Sequence, residues 1–243
     1  MSQTVNVGKR IELLNEANFI KNLRGNFLEE KYTLEDHFTG VSLDTAKWAT
    51  SLPGTGDTIA ISEILGGCVL LTTGTVDDDS CMLAGAIIFN GTKKSVLHAR
   101  IHIVDVSGTA LFVGFSDAKS EANNSIAIHY AANALTTVAT NAAGFVVDAD
   151  HATSSVMCCG VAADVDDTAV DTGIDWADGE TRDLRIILEN GVALFFVDGV
   201  QKARLAAAVT TGTLLCVTFQ AMTRANDGAN EVRVYKLKAW MDE

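Results

Sequence analysis

Four acidic clusters in this 243-residue chain hold the side-chain types from which acid–base or metal chemistry is built. They are Asp77-Asp78-Asp79, Asp148-Ala149-Asp150-His151, Asp164-Val165-Asp166-Asp167, and Asp175-Trp176-Ala177-Asp178-Gly179-Glu180. Two carboxylates can cleave a sugar linkage by a retaining route when they stand ~5–5.5 Å apart across the scissile bond. Only Asp148 and Asp150 have the i, i+2 spacing that puts two side chains on one face at a strand end. The clusters all fall in Gly/Ser/Thr/Ala-rich connections, which read as solvated turns, so no catalytic residue is expected. Calcium takes six to eight oxygens. Asp77–Asp79 and Asp164–Asp167 supply partial shells without the twelve-residue loop spacing. His98 and His102 sit four residues apart on one strand face, ~13 Å at strand rise, too far to share an ion. The five cysteines, Cys68, Cys81, Cys158, Cys159 and Cys216, are odd in number and include one vicinal pair. They lack the paired spacing of a zinc site and read as reduced, buried thiols. There is no Gly-x-Ser-x-Gly nucleophile turn. No metal and no cofactor are expected.

The elements that must carry these clusters are strands. Leu97, Ala99, Ile101 and Ile103 alternate with His98, Arg100 and His102, which marks one dry and one wet face. Ser125–Tyr130 repeats the pattern, with Ile126, Ile128 and Tyr130 on one side. In Glu231–Trp240, strict alternation sets Val232, Val234, Lys236 and Lys238 against Arg233, Tyr235, Leu237 and Ala239. Apolar runs lie at Cys68–Leu71, Met82–Phe89, Leu111–Phe115, Phe145–Val147 and Leu214–Phe219. Asn190-Gly191 and Asp198-Gly199 supply the positive-φ pairs of type I′ turns. They make Leu184–Glu189, Val192–Val197 and Val200–Leu205 a meander. About a dozen short strands between Gly/Asn/Asp/Ser clusters read as a two-sheet sandwich.

Composition bounds the rest. Forty-eight per cent hydrophobic residues and a mean hydropathy of +0.20 give enough apolar mass for a sizeable core. No run approaches the ~18 apolar residues of a membrane span. A net charge of −13 argues against a nucleic-acid partner. The first thirty-four residues are near neutral. From Glu35 onward thirteen Lys/Arg face twenty-seven Asp/Glu, a net of −14. Residues 1–34 form a candidate arm with a short amphipathic helix over Arg10–Leu23, and residues 35–243 the sandwich. Met1–Arg10 has no apolar h-region, so no secretory signal is expected and the setting is cytoplasmic.

Three stretches together resemble the concanavalin A-like (laminin-G-like) jelly-roll superfamily. The first is Asp36-His37-Phe38 followed by Leu43-Asp44 and Trp48. The second is Arg182–Leu188 with Phe195-Phe196-Val197-Asp198-Gly199. The third is the closing strand Val232–Trp240. The resemblance implies two curved antiparallel sheets packed face to face, with ligands on the concave face or rim loops. It implies no single function, since the fold hosts lectins, glycosidases, adhesion modules and virion proteins. Hydrolases of this superfamily carry Glu-x-Asp-x-x-Glu on one strand, which this chain lacks.

The expected function is therefore non-enzymatic. Sandwiches of this kind occur as decoration proteins on tailed-bacteriophage heads, which implies attachment to a major capsid protein or other large-particle surface. Ile11, Leu14, Phe19, Ile20, Leu23, Phe27 and Leu28 would be the anchors, because apolar and aromatic side chains dominate interfaces. A dimer or trimer follows from repeated surface copies, and the expected location is the virion surface after assembly in the host cytoplasm. The alternative is a lectin-like carbohydrate-binding module or a degenerate glycoside hydrolase. In that case Trp176, in a Gly/Asp loop, is the candidate aromatic platform for a glycan.

Overall fold

The computed structural model describes residues 32–64, 66–118, 125–224 and 228–242. The seven arm anchors, Ile11 to Leu28, and the expected helix lie outside these residues. In chain order the strands begin β1 Tyr32–Asp36, β2 Ala49–Ser51, β3 Thr58–Ser62, β4 Cys68–Thr72, β5 Ser80–Ala84 and β6 Phe89–Asn90. They continue β7 Ser95–Ile103, β8 Thr109–Ser116, β9 Ile128–Ala131, β10 Ala134–Thr137, β11 Asn141–Asp148 and β12 Ser155–Ala162. The last are β13 Val165–Asp166, β14 Val170–Asp175, β15 Thr181–Glu189, β16 Val192–Val197, β17 Val200–Leu205, β18 Leu214–Thr223 and β19 Glu231–Met241.

They form an antiparallel two-sheet sandwich. The first sheet runs β17-β16-β15-β7-β19-β4-β3, with β1 also paired to β19. The second runs β13-β12-β11-β8-β18-β5-β2, with β14 on β12 and β6 on β18. The boundary expected at residue 34 falls inside β1. Leu34 pairs with Ala239 and is buried, so Tyr32–Leu34 belong to the sandwich.

Alternation builds the core as read for β7: Leu97, Ala99, Ile101 and Ile103 are buried while His98 and Arg100 are exposed and His102 half-buried. The meander β15-β16-β17 is present at the expected positions. Its corners hold φ of 52° at Asn190, 75° at Gly191, 51° at Asp198 and 81° at Gly199, the left-handed pairs a type I′ turn needs. In β19 the expected strict alternation fails. The register against β7 shifts between Val234 and Lys236. This bulge reverses the phase, so Val232 and Val234 are buried and then Leu237, Ala239 and Met241, while Lys236 and Lys238 face solvent.

Between the sheets, Phe145 meets Phe195 edge-on at 5.2 Å, and Trp48 meets Phe219 at 6.3 Å. The opening motif has a structural reason. Asp36 accepts the Trp48 indole N–H at 2.9 Å and the Phe38 amide at 2.8 Å, pinning both rings into the core.

The second sheet is covered on its outer side as well. Gly114 and Gly144 pair across β8 and β11, and a Cβ on Gly144 would stand 2.4 Å from the Phe112 ring. The missing side chain of Gly144 leaves room for Phe112, and that of Gly114 lets the β11 backbone approach at Ala143 and Gly144. Over it lie Ile126, Ala127, Ile128 and Tyr130 of the β9–β10 hairpin region, packed with Val146, Met157, Cys159 and Met222. Both faces of Ser125–Tyr130 are thus buried after Ser125, where one wet face was expected. Cys158 packs between the sheets and Cys159 under the hairpin, so the vicinal thiols point to opposite faces. All five cysteines are free and buried, as expected. Burial pushes the Cys159 thiol up to about 12.

Candidate functional site

Asp148 and Asp150 are brought together, but not as an acid and a nucleophile. Asp148 closes β11 and is 1% exposed, not part of a solvated turn. Its Oδ1 accepts from Arg224 Nε and the Asp150 amide, each at 3.0 Å. Its Oδ2 accepts from Arg224 Nη2 at 2.9 Å and the Tyr130 amide at 2.7 Å. Arg224 in turn donates to the Tyr130 carbonyl and to Asp78. Four donors saturate the Asp148 carboxylate. Its work is to lock the β9–β10 hairpin onto the second sheet. The run Asp77–Asp79 is split likewise: Asp78 serves Arg224, and Asp79 turns inward beside Asp57. Asp57, which nothing in its local sequence marks, is nearly buried and accepts the Gly54 and Gly74 amides at 2.6 Å each. Burial, with Asp79 adding, pushes its carboxyl above the ordinary range. Among the described residues no group of three or more His, Cys, Asp or Glu side chains could hold a metal ion.

The fourth cluster forms a cavity. At one end of the sandwich the β7–β8, β11–β12 and β14–β15 connections surround a depression of about 510 Å³. Asp175, Asp178, Ser107, His151, Thr153 and Ser154 supply its polar lining, and Val106, Ala149, Ala152 and Ala177 its apolar patches. Turn chemistry fixes these loops. The Val106 amide donates to Asp178 Oδ1 at 2.8 Å, tying the first connection to the third. The Trp176 amide donates to the Ser154 carbonyl at 2.9 Å, tying the third to the second. Ser155 Oγ donates to Asp175 Oδ1 at 2.8 Å. Each aspartate is thereby held by one oxygen, and the Oδ2 of each is unengaged among the described residues.

Trp176 corrects an expectation. It is 1% exposed and belongs to the inter-sheet core, with its indole N–H donating to the Glu180 carbonyl at 3.2 Å. Its ring face is not an open platform. A large indole two residues before a Gly turn, at a strand end, fills the gap between the sheets where β14 leaves the second sheet. The ring at the cavity that was not foreseen is His151, which lies 4.4 Å from the Tyr130 ring and therefore has a fixed plane. Sequence spacing could not join residues 107, 151 and 175, since only the sheet order brings those loops to one end.

No protein-family profile matches the chain, and no curated protein sequence does. Solved structures do. The carbohydrate recognition domain of Emp47p is 14% identical with a TM-score of 0.59, over 87% of this chain and 96% of that one. A glycosyl hydrolase family 16 protein from Mycobacterium smegmatis is 11% identical with a TM-score of 0.58, over 85% and 99%. A sialidase is 12% identical at 0.58, and this chain spans only 18% of its length. At such identities the likeness is one of fold: the chain is a concanavalin A-like jelly-roll sandwich, as its sequence motifs implied.

Proposed function

We propose that this protein is a non-catalytic carbohydrate-binding module that seats a saccharide unit in the Asp175–Asp178 cavity. The observation that carries the reading is the pair of half-engaged carboxylates. Each is oriented by a protein donor on Oδ1 and offers Oδ2 as an acceptor for a sugar hydroxyl. Hydrogen bonds to a charged acceptor are worth about 1.5–3 kcal/mol each. The Ser154 hydroxyl and His151 Nε2 add further polar partners, and the Ser107 and Thr153 hydroxyls, whose protons go to Asp105 and Ser155, add acceptor lone pairs. The alanine and valine patches suit the apolar face of a pyranose. The volume lies in the range of small-ligand pockets, roughly 300–1,000 Å³.

The absence of catalysis is part of the proposal. The Asp148/Asp150 pair at the end of β11 is engaged by Arg224, and the outer face of the second sheet at β8, β11 and β12 lies under the chain's own hairpin. The fold is also that of the Emp47p carbohydrate recognition domain. Attachment to a capsid shell would run through Ile11–Leu28, and those residues lie outside the described ones, so the glycan reading is the one with a surface to argue from. The deciding experiment is a glycan array on the full chain, repeated with Asp175→Asn/Asp178→Asn. Both variants keep an Oδ1 acceptor for the Ser155 and Val106 donors. Binding in the wild type that weakens at least tenfold in the double variant supports the proposal. Undiminished binding in the double variant, or release of shortened glycans by the wild type, overturns it.

A further inference from the structure

The acidic chain carries a cationic face. On the outer side of the first sheet the register aligns three rows across β15, β7 and β19. The first row is Arg185, His98 and Lys238; the second Asp183, Arg100 and Lys236; the third Thr181, His102 and Arg233. Phe196 of β16 extends the first row. At sheet spacings this is an area of roughly 14 by 14 Å. It gathers five Lys/Arg in a protein of net charge −13.

Some of these charges are met. Arg233 bonds Glu231 at 2.5 Å, Lys238 meets Glu35 at 3.1 Å, and Asp183 stands 3.8 Å from His98. Arg100, Arg185 and Lys236 have no ion-pair partner among the described residues, although Asp183 is the cross-strand neighbour of Arg100. Arg185 stacks its guanidinium 4.1 Å over the Phe196 ring, and its buried Nε has no hydrogen-bond partner. Beside this area a recess of about 460 Å³ is lined by His37, Gly66, Arg100, Thr181, Tyr235 and Lys236. The Tyr235 ring is set edge-on against His102, which is itself held by Thr181 Oγ1 at 3.1 Å. The recess walls are therefore positioned before any ligand arrives.

We infer that this recess binds a carboxylated sugar, a uronate unit of an acidic polysaccharide whose neighbouring units run across the Arg185–Lys238 row. The saccharide class rests on the glycan-binding reading above; the anion preference rests on the unpaired cations. The planar Arg100 fork matches a carboxylate in two parallel hydrogen bonds, and Lys236 adds a point charge. Tyr235 gives the ring a flat apolar wall, and the Thr181 hydroxyl is a polar partner for sugar hydroxyls.

The test measures binding of three probes to the full chain by calorimetry: an oligogalacturonate, a neutral β-glucan oligomer and a sulfated heparin oligomer. Each is measured on wild type, on Arg100→Gln/Lys236→Gln and on Asp175→Asn/Asp178→Asn. The expected result is oligogalacturonate affinity at least tenfold above the neutral oligomer, and at least tenfold weaker in Arg100→Gln/Lys236→Gln with an unchanged melting temperature. Oligogalacturonate binding that survives that variant and is lost in Asp175→Asn/Asp178→Asn overturns the recess while leaving the rim reading standing. A preference for the sulfated probe alone overturns the carboxylate assignment. No binding of any probe, together with a blank glycan array, overturns both readings.

Discussion

Replacing Trp176 separates a core indole from a sugar platform. At 1% exposure the side chain buries essentially its whole surface. Aromatic side chains bury about 150–250 Å², which at ~25 cal/mol per Å² is roughly 4–6 kcal/mol. Large-to-small replacements of buried Trp cost about 3–5 kcal/mol in practice. For a domain of this size each kcal/mol moves the melting temperature by roughly 2–4 °C. Trp176→Ala is therefore expected to lower the melting temperature by about 6–20 °C in a scanning calorimeter. Trp176→Phe keeps most of the ring and leaves the Glu180 carbonyl its Ile103 amide donor at 3.4 Å, so it should cost only about 0.5–1.5 kcal/mol for the lost indole hydrogen bond. Asp175→Asn/Asp178→Asn, on exposed side chains whose Oδ1 contacts are kept, should stay within about 0.5 kcal/mol of wild type. Loss of binding without loss of stability in Trp176→Ala would refute the reasoning, because only an open platform ring behaves that way.

Three more outcomes follow from the packing. Arg224→Ala leaves Asp148 buried and unpaired, and should destabilise by about 3–5 kcal/mol in urea unfolding; a cost under 1 kcal/mol would show that the hairpin is not held there. His129 is buried, first by desolvation and then by its nearness to Arg224 held below the ordinary histidine value of 6.5, and burial lowers His98 and His102 as well. The unfolded chain then binds more protons below that value, so stability should fall as pH drops through about 6.5. The buried His129 contributes at most about 1.4 kcal/mol per pH unit and the more exposed, solvent-screened His98 and His102 less, so His129→Gln should flatten the slope measured by calorimetry. Truncation after residue 34 removes Leu34 from its place against Ala239, and should cost about 2–5 kcal/mol relative to truncation after residue 31. Equal melting temperatures would mean β1 adds nothing to the sandwich.

The parts of the fold legible in the sequence are those set by local rules. The Asn190-Gly191 and Asp198-Gly199 turns and the β7 alternation need only backbone sterics and a period of two. What escaped was set by distant partners. The bulge at Tyr235 reverses β19 without any Gly or Pro to announce it. Asp148 looks like a turn acid because its partner Arg224 is seventy-six residues away, beyond any spacing rule. Asp175 and Asp178 were visible as a cluster, yet only the meeting of three loops makes them a cavity wall. Trp176 was singled out for its loop composition, and composition does not reveal that the ring turns inward.

The pairing of β1 with β19 has a mechanical side. Tyr32 stands opposite Met241, so the chain enters and leaves the sandwich at one corner, about 5 Å apart. Tension applied between those two points would open the ladder one rung at a time, starting with the outermost bonds, because the load never runs along both strands in shear. Pulling instead between Tyr32 and the far tip of the meander would load many bonds together. The same sandwich is thus a weak link in one hitching geometry and a strong one in the other, and where a tether is fastened decides which.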